Sequence, residues 1–365
     1  MSTITELFQK QADNFSDRPR WPMAELLGRT ENVGFTYYGT RLKQKRTLLQ
    51  TEFGSNKRNQ WGPMLENAAS EILSSWSDPE TNGGNEARKC LRRTIESLIF
   101  RLTYGFEPSR DVIELIQLVG QQTGQAFQPG RWAVNSFPLL SYIPYWMPGA
   151  GFQRWARSSK SLFMKMVRDP YNKTKNDLLS DPEVSCFVAN HLRVLRNSGL
   201  AQPSLYDEQL IMSTAGSVFA GNITLAAVET ILMLLSRHPE KQDVAYREIA
   251  RLERLPSISC IFKEGLRINP PVPLLTHSPI ESSQYKGWLI PKGSWVLANI
   301  CGARAVAAFS IEPLDDARSD IEFTTGLNSG PKEFSCKFVR ERKLNNVYCA
   351  LTSTREILLY DIIEY

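Results

Sequence analysis

A near-continuous apolar stretch from Ile211 to Leu235 constrains this chain more than any other feature. Such a stretch must be removed from water, either in a bilayer or inside a protein body. It reaches roughly the ~20 residues that a membrane span requires, but Asn222, Thr224 and Glu229 interrupt it. Polar groups of that kind are costly in hydrocarbon, so the stretch is read as a buried helix of a globular protein. Ser204-Leu205-Tyr206-Asp207 offers an N-cap with an acid at the third helical position, and His238-Pro239 supplies a stop after Arg237. Inside it lies Ala220-Gly221-Asn222-Ile223-Thr224. Gly costs about 1 kcal/mol in a helix interior, so something is expected to come close at Gly221, either a ligand against the backbone or a neighbouring helix. The Thr224 hydroxyl can bond the carbonyl one turn back or a bound oxygen species, and the residues alone favour a tight helix–helix crossing with a satisfied Thr.

With 365 residues the chain can hold one large domain or two ordinary ones. Hydrophobic content of 42% and charged content of 22% are those of a soluble globular protein. The net charge of +5 is scattered, with no dense basic run, which argues against nucleic acid as a partner. The cysteines at positions 90, 186, 260, 301, 336 and 349 include no pair at metal-ligand spacing. Usage this sparse implies a reducing, intracellular compartment rather than a disulfide framework. Met1 to Arg20 carries no apolar run, so neither a signal peptide nor an anchor is expected there. The three histidines, His191, His238 and His277, share no ligand spacing, and a lone His is more often a satisfied core residue. No nucleophile elbow, phosphate loop or dinucleotide fingerprint is present.

Periodicity predicts helices from Trp61 to Arg101 with a polar break near Asp78 to Asn85, and from Ser109 to Gln125. The Pro- and aromatic-rich run Phe137 to Gly149 is predicted to be an ordered loop or short turns. Helical pattern resumes over Phe152–Val167 and Pro182–Arg196, and a short helix ends near Arg267 before Asn269-Pro270-Pro271-Val272-Pro273. Strands follow at Trp288-Leu289-Ile290 and from Trp295 to Ile300, around a Pro291-Lys292-Gly293 turn. A second hairpin is predicted within Ile321–Val339. Many helices followed by few strands make an α-rich α+β fold.

Glu264-Gly265-Leu266-Arg267 places an acid and a base three apart on one helix face. On a surface such a pair contributes only ~0.2–0.5 kcal/mol, and Glu107/Arg110 and Glu248/Arg251 repeat the spacing. Its position before the Pro-rich exit, with His277 beyond, sets it apart from those two, and the resemblance described below implies a buried structural pair.

Together these segments resemble the cytochrome P-450 family, in particular fungal small-molecule monooxygenases. Ala220–Thr224 is similar to the oxygen-activating kink of that family's long central helix, and Glu264 with Arg267 to its Glu-x-x-Arg brace. Pro271-Val272-Pro273-Leu274 with His277 resembles the segment that lines the substrate pocket and touches a haem propionate. Tyr285 to Asn299 is similar to the hairpin that follows. Ser16-Asp17-Arg18-Pro19 resembles the early substrate-side region, and Tyr38-Gly39-Thr40-Arg41 to Arg46 the helix bearing a propionate-binding Arg. The resemblance covers roughly residues 5–300 and 309–339; it implies a single domain over 1–339 and leaves the tail 340–365 unmatched.

The departures are specific. The family needs Phe-x-x-Gly-x-Arg-x-Cys-x-Gly, whose thiolate ligates the haem iron, and no cysteine here sits in that pattern. Around Cys301, the remaining candidate iron ligand, the positions for Phe, Gly, Arg and the second Gly hold Ser294, Leu297, Asn299 and Ala303. The chain runs from Asn299 almost directly to Phe309-Ser310-Ile311, read as the far end of the helix that should follow the cysteine. An internal deletion near 300–309 is therefore expected, together with absence of the family's N-terminal anchor. Ile223 stands where an acid is expected before Thr224, and Leu42 where a Trp is expected after Arg41.

The resemblance implies a haem-dependent monooxygenase that oxidises an apolar small molecule of the secondary-metabolite kind, fed electrons by an NADPH-dependent reductase. Thr224 and Gly221 would be catalytic, Arg46 and His277 would bind haem, and Glu264 and Arg267 would brace the core. The location implied is cytoplasmic or peripheral to the endoplasmic reticulum membrane. Without the cysteine loop the chain as given is expected to be incomplete or inactive. The alternative is an α-rich scaffold or interaction protein without haem, whose unfilled cavity would be an apolar liability.

Overall fold

The computed structural model of the chain describes residues 7, 10–54, 57–78, 84–128, 130–197, 205–220, 223–251, 260–261, 264–265, 275–298, 310–313 and 336–339. Helices come first: α1 (Pro22–Leu26), α2 (Thr40–Phe53), α3 (Arg58–Ser77), α4 (Gly84–Tyr104), α5 (Arg110–Ala126) and α6 (Ala133–Ser136). They continue as α7 (Gly151–Ser180), α8 (Phe187–Asn197), α9 (Leu205–Ala220), α10 (Ile223–Arg237) and α11 (Pro239–Arg251). Short strands follow: β1 (Leu275–His277), β2 (Ser283–Tyr285), β3 (Trp288–Ile290), β4 (Val296–Ala298), β5 (Ser310–Pro313) and β6 (Cys336–Val339). The fold is α-rich α+β, as the order of patterns predicts. Among the described residues no helix is long and apolar enough to cross a membrane.

The chain divides into two compact units. The first comprises Met1–Leu48, Thr103–Ala220 and Leu274–Asn299. Its spine is α7, on which α5, α8 and α9 pack. Ala156, Phe163, Met166, Val167, Pro170, Tyr171, Thr174 and Leu178 recur every three or four residues along its buried face. The helix runs past the expected end at Val167 and through Pro170, although Pro removes an amide donor. Burial of the continuing stripe offsets that loss, and Thr174 Oγ1 secures the turn by donating to Tyr104 O at 2.7 Å. Gly216 of α9 permits the closest approach to α7, because a Cβ there would lie 2.5 Å from Val167 Cγ2. The run 137–149 is ordered as predicted, with a 3₁₀ turn over Pro138–Tyr142.

The strands pair differently from the expectation. β3 pairs backwards with β2 across a Lys286-Gly287 turn in which both residues have positive φ, 49° and 85°. β4 instead pairs antiparallel with β1, setting His277 opposite Val296. The Pro291–Gly293 turn therefore joins two separate sheets rather than two strands of one hairpin.

The second unit comprises Leu49–Leu102, Gly221–Pro273 and Ile300–Tyr365. Its core gathers Trp76, Ala87, Leu91, Leu225, Ile231, Leu232, Leu235 and Ala245. Trp76 Nε1 donates to Ala87 O at 3.1 Å, so the indole is buried without losing its hydrogen bond. His238-Pro239 does end α10, but Pro239 also opens α11, at the first helical position where its missing N–H costs nothing. Ser310 and Ile311 are strand rather than the end of a helix, and β5 pairs with β6, while the rest of the hairpin expected within Ile321–Val339 lies outside the described residues. A strand partner is a non-local choice that period-two patterning does not specify.

Candidate functional site

In the first unit the segment before α1 lies alongside the residues that extend β1. Ser278 N donates to Asp17 O at 3.0 Å and Ile280 N to Asn14 O at 2.8 Å. The Asp17 side chain fixes the bend after this bridge, since its Oδ1 accepts from Arg18 N at 2.8 Å and Tyr38 N at 2.7 Å. Arg18 is thereby turned inward and buried. Its Nη1 donates to Thr276 O at 3.3 Å and to His277 Nε2 at 3.1 Å. A guanidinium only donates, so His277 Nε2 must accept, and the ring is neutral with its proton on Nδ1.

The electrostatics agree with that tautomer. Burial first, then the neighbouring Arg18 charge, pushes the His277 pKa down to about 4, with Arg46 adding to the effect and the Phe15 backbone opposing it. Arg18 is pushed down to about 10 by burial and by Arg46, with Asp17 opposing. Arg46, on α2, thus shares a field with both residues. Among the described residues Arg18 Nε is buried with no hydrogen-bond partner. Such a donor costs ~1–3 kcal/mol until an acceptor reaches it. Two cations, Arg18 and Arg46, therefore act on a place where the near carboxylate, Asp17, already serves two amides. The site fits a ligand bearing carboxylates.

The rest of α2 points elsewhere. Lys45 is fully buried and donates to Glu31 O at 2.5 Å, while Arg41 pairs with Glu31 at 2.7 Å. Leu42 is buried in the core, so the position expected to carry a Trp donor offers none. Beside Arg18, Trp21 stacks edgewise on Phe127 at 4.2 Å and packs on Trp295 at 4.8 Å, and Phe127 stacks on Phe35 at 4.5 Å. Trp21 Nε1 and Gln122 Oε1 are buried without hydrogen-bond partners among the described residues.

The structure thus brings together Arg46 and His277, both expected from the sequence, and adds Arg18. The sequence signal for Arg18 was its place in Ser16-Asp17-Arg18-Pro19, which carried no assigned role. Thr224 lies in α10 of the second unit. Gly221, Arg267 and Cys301 lie outside the described residues. Glu264 is exposed, so burial does not hold for its half of the expected pair. The reason is rotational. Gly265 turns inward, where a Cβ would stand 2.6 Å from Ile231 Cγ1, and its neighbour about 100° round the helix faces out. His191 is a satisfied core histidine, its Nε2 3.0 Å from Leu48 O and its ring edge-on to Phe187.

Residues 1–305 match the family model described as Cytochrome P450. A cytochrome P450 monooxygenase of Armillaria gallica is 29% identical over 320 residues, covering 82% of this chain and 61% of that protein. The tryptamine 4-monooxygenase of Psilocybe cyanescens is 28% identical, with coverage of 82% and 61%. The chain spans about three fifths of the length of these relatives. A zebra fish cytochrome P450 whose structure was solved with abiraterone superposes with a TM-score of 0.68 at 16% identity. That likeness covers 93% of this chain and 91% of the other and concerns the fold. With most of its length matched by one family model, the chain belongs to the cytochrome P450 family.

Proposed function

We propose that this chain is a haem-binding member of the monooxygenase type, directed at apolar small molecules, that holds haem by its carboxylates and lacks the thiolate of an active enzyme. The observation that carries the reading is the buried, partnerless Arg18 Nε beside His277 and within the field of Arg46. Haem, when bound, supplies the redox-active iron that monooxygenation requires. Arg18 would donate to one propionate through Nε, and Arg46 would add charge from α2. His277 would hold Arg18 in place by accepting its Nη1 hydrogen. The aromatic group of Trp21, Phe35 and Phe127 supports a flat apolar substrate, with Trp21 Nε1, which has no partner among the described residues, to orient a polar atom of it. Thr224 would, in a complete form, serve through its hydroxyl as a group that holds or passes a proton, without an acid at Ile223 to relay it, and Gly221 would be its companion in that role. In a complete form, electrons would come from an NADPH-dependent reductase.

Two titrations test this. Haemin is expected to bind the full chain at least about tenfold more tightly than its dimethyl ester, the difference that one charge-assisted hydrogen bond supplies. Equal affinity would remove the carboxylate site. The reduced, carbon monoxide-bound form is expected to lack a thiolate-type Soret band. Such a band, abolished by Cys301→Ala, would show an iron thiolate and sink the inactive half of the reading.

A further inference from the structure

Asp17 is the neighbour of Arg18 in the chain, yet its carboxylate is not spent on the guanidinium. Asp17 is extended, bridged antiparallel to Ser278, and Pro19 biases Arg18 toward extended backbone as well. Successive side chains of an extended segment point to opposite sides. Arg18 accordingly runs inward to Thr276 O and His277 Nε2. The half-buried Asp17 side chain turns back on the main chain, where Oδ1 accepts from Arg18 N at 2.8 Å and from Tyr38 N at 2.7 Å.

The second of these amides is the informative one. Tyr38 leads directly into α2, the helix that carries Arg46. One carboxylate oxygen thus fastens the backbone of Arg18 to the chain that enters the helix of Arg46, so the spacing of the two cations passes through Asp17. The charge of the same group is felt by Arg18 and repels any anion that approaches it. Geometry and charge at Asp17 therefore act in opposite directions on the same site.

Given that Arg18 receives a ligand carboxylate, as proposed for this site, we infer that Asp17 is a positioning residue: it holds the amides of Arg18 and Tyr38 on one oxygen and so aims Arg18 at the ligand, in spite of its own charge. The segment does not depend on this side chain for its place. Ser278 N donates to the Asp17 backbone carbonyl, and Asn14 is joined to Ile280 and Glu281 by three hydrogen bonds of 2.8–3.1 Å. Shortening Asp17 should leave the chain folded, which far-ultraviolet dichroism checks.

Two variants separate geometry from charge. Asp17→Asn keeps an oxygen for both amides and removes the charge, whereas Asp17→Ala removes both. The measured quantity is the preference of the full chain for haemin over haemin dimethyl ester in a Soret titration. Asp17→Asn is expected to keep that preference or raise it about two- to fivefold, and Asp17→Ala to lower it about tenfold. A role confined to folding would leave the preference unchanged in folded Asp17→Ala, and a counter-ion role would raise it in both variants. Either result overturns the proposal, as does a fall in Asp17→Asn. A second readout needs no ligand. The His277 imidazole, held at a pKa of about 4 by burial and then by Arg18, should rise toward 6.5 in Asp17→Ala and stay low in Asp17→Asn when followed by NMR. An unmoved His277 in Asp17→Ala would show that Asp17 does not place Arg18. Equal binding of haemin and its ester by the wild-type chain would instead remove the carboxylate reading, with His277 still deciding whether Asp17 places Arg18.

Discussion

Each unit of the molecule contains an arginine-rich cluster, and the two are resolved in opposite ways. In the second unit Glu229 of α10 is almost fully buried, and Arg88 of α4 grips it with a two-pronged contact at 2.8 and 3.0 Å while Arg92 reaches it at 3.3 Å. The charge there is closed within the protein. In the first unit Arg18 and His277 meet in the field of Arg46, the nearby carboxylate is spent on backbone amides, and one guanidinium nitrogen has no acceptor among the described residues. Arg29 shows that lacking a carboxylate does not by itself make a site. It is buried, but Nε donates to Thr123 Oγ1, Nη1 to Leu27 O and Nη2 to Ser159 Oγ, and Phe163 covers its face at 4.3 Å. The informative signal is a donor left over after local geometry has been satisfied. A cluster that contains its own acid holds the fold, whereas a donor left over in a cluster without one is what the proposed anion from outside would satisfy.

The sharpest way to break this contrast is to remove cations from both clusters. Arg88→Met with Arg92→Met should cost about 2–3 kcal/mol in urea unfolding, at the lower end of the range for a broken buried pair because Arg92 is a third exposed. A loss well under about 1 kcal/mol would mean that the second cluster is not structural. Arg18→Met should cost about 1 kcal/mol of ligand-free stability, less than the change at Arg88 and Arg92, because removal of the Nε donor that has no acceptor among the described residues offsets part of the loss of the Nη1 bonds to Thr276 O and His277 Nε2. The same variant should weaken haemin binding by about tenfold to a hundredfold in a Soret titration. If it unfolds the chain instead, the two clusters are of one kind.

Histidine titration sharpens the comparison further. His277 is neutral in the folded chain, with its pKa lowered from 6.5 to about 4. Below pH 6.5 the unfolded chain takes up a proton that the folded chain refuses, so the stability His277 contributes is complete above that value and is lost as pH falls through about 4. His277→Gln should flatten this acid limb by on the order of 1 kcal/mol, allowing for partial solvent screening. Imidazole resonances followed by NMR should report the low pKa directly, and binding of an iron-free porphyrin diacid should raise it. The smallest expected effect is that of Arg46→Gln, which acts on its neighbours by field alone. It should raise the His277 pKa slightly and weaken haemin by about two- to threefold.

Much of the helical order was legible beforehand. The break between α3 and α4, the limits of α5 and the ordered Pro-rich run all follow from periodicity and from residues that cannot continue a helix. Where the reading fell short, a tertiary contact had outweighed a local signal. Pro170 should end a helix, but the buried stripe on both sides carries α7 through it. His238-Pro239 both stops one helix and starts the next, and only the stop was read. Within the candidate site, Arg46 and His277 were legible through motif resemblance. Arg18 was not, because its importance lies in contacts to Thr276 and His277, some 258 and 259 residues away.

By itself, then, the sequence determined the helical repertoire, the buried character of the stretch around Ile211–Leu235, the family, and the absence of its cysteine pattern. These are properties of local spacing and residue type. The tertiary structure alone decided that β4 pairs with β1 and not with its neighbour β3, that Glu264 faces water, and that one nitrogen of Arg18 is buried without an acceptor among the described residues. The physical reason is common to all three. Partner and burial are set by which distant segments compete for the same surface, and no local periodicity encodes that competition.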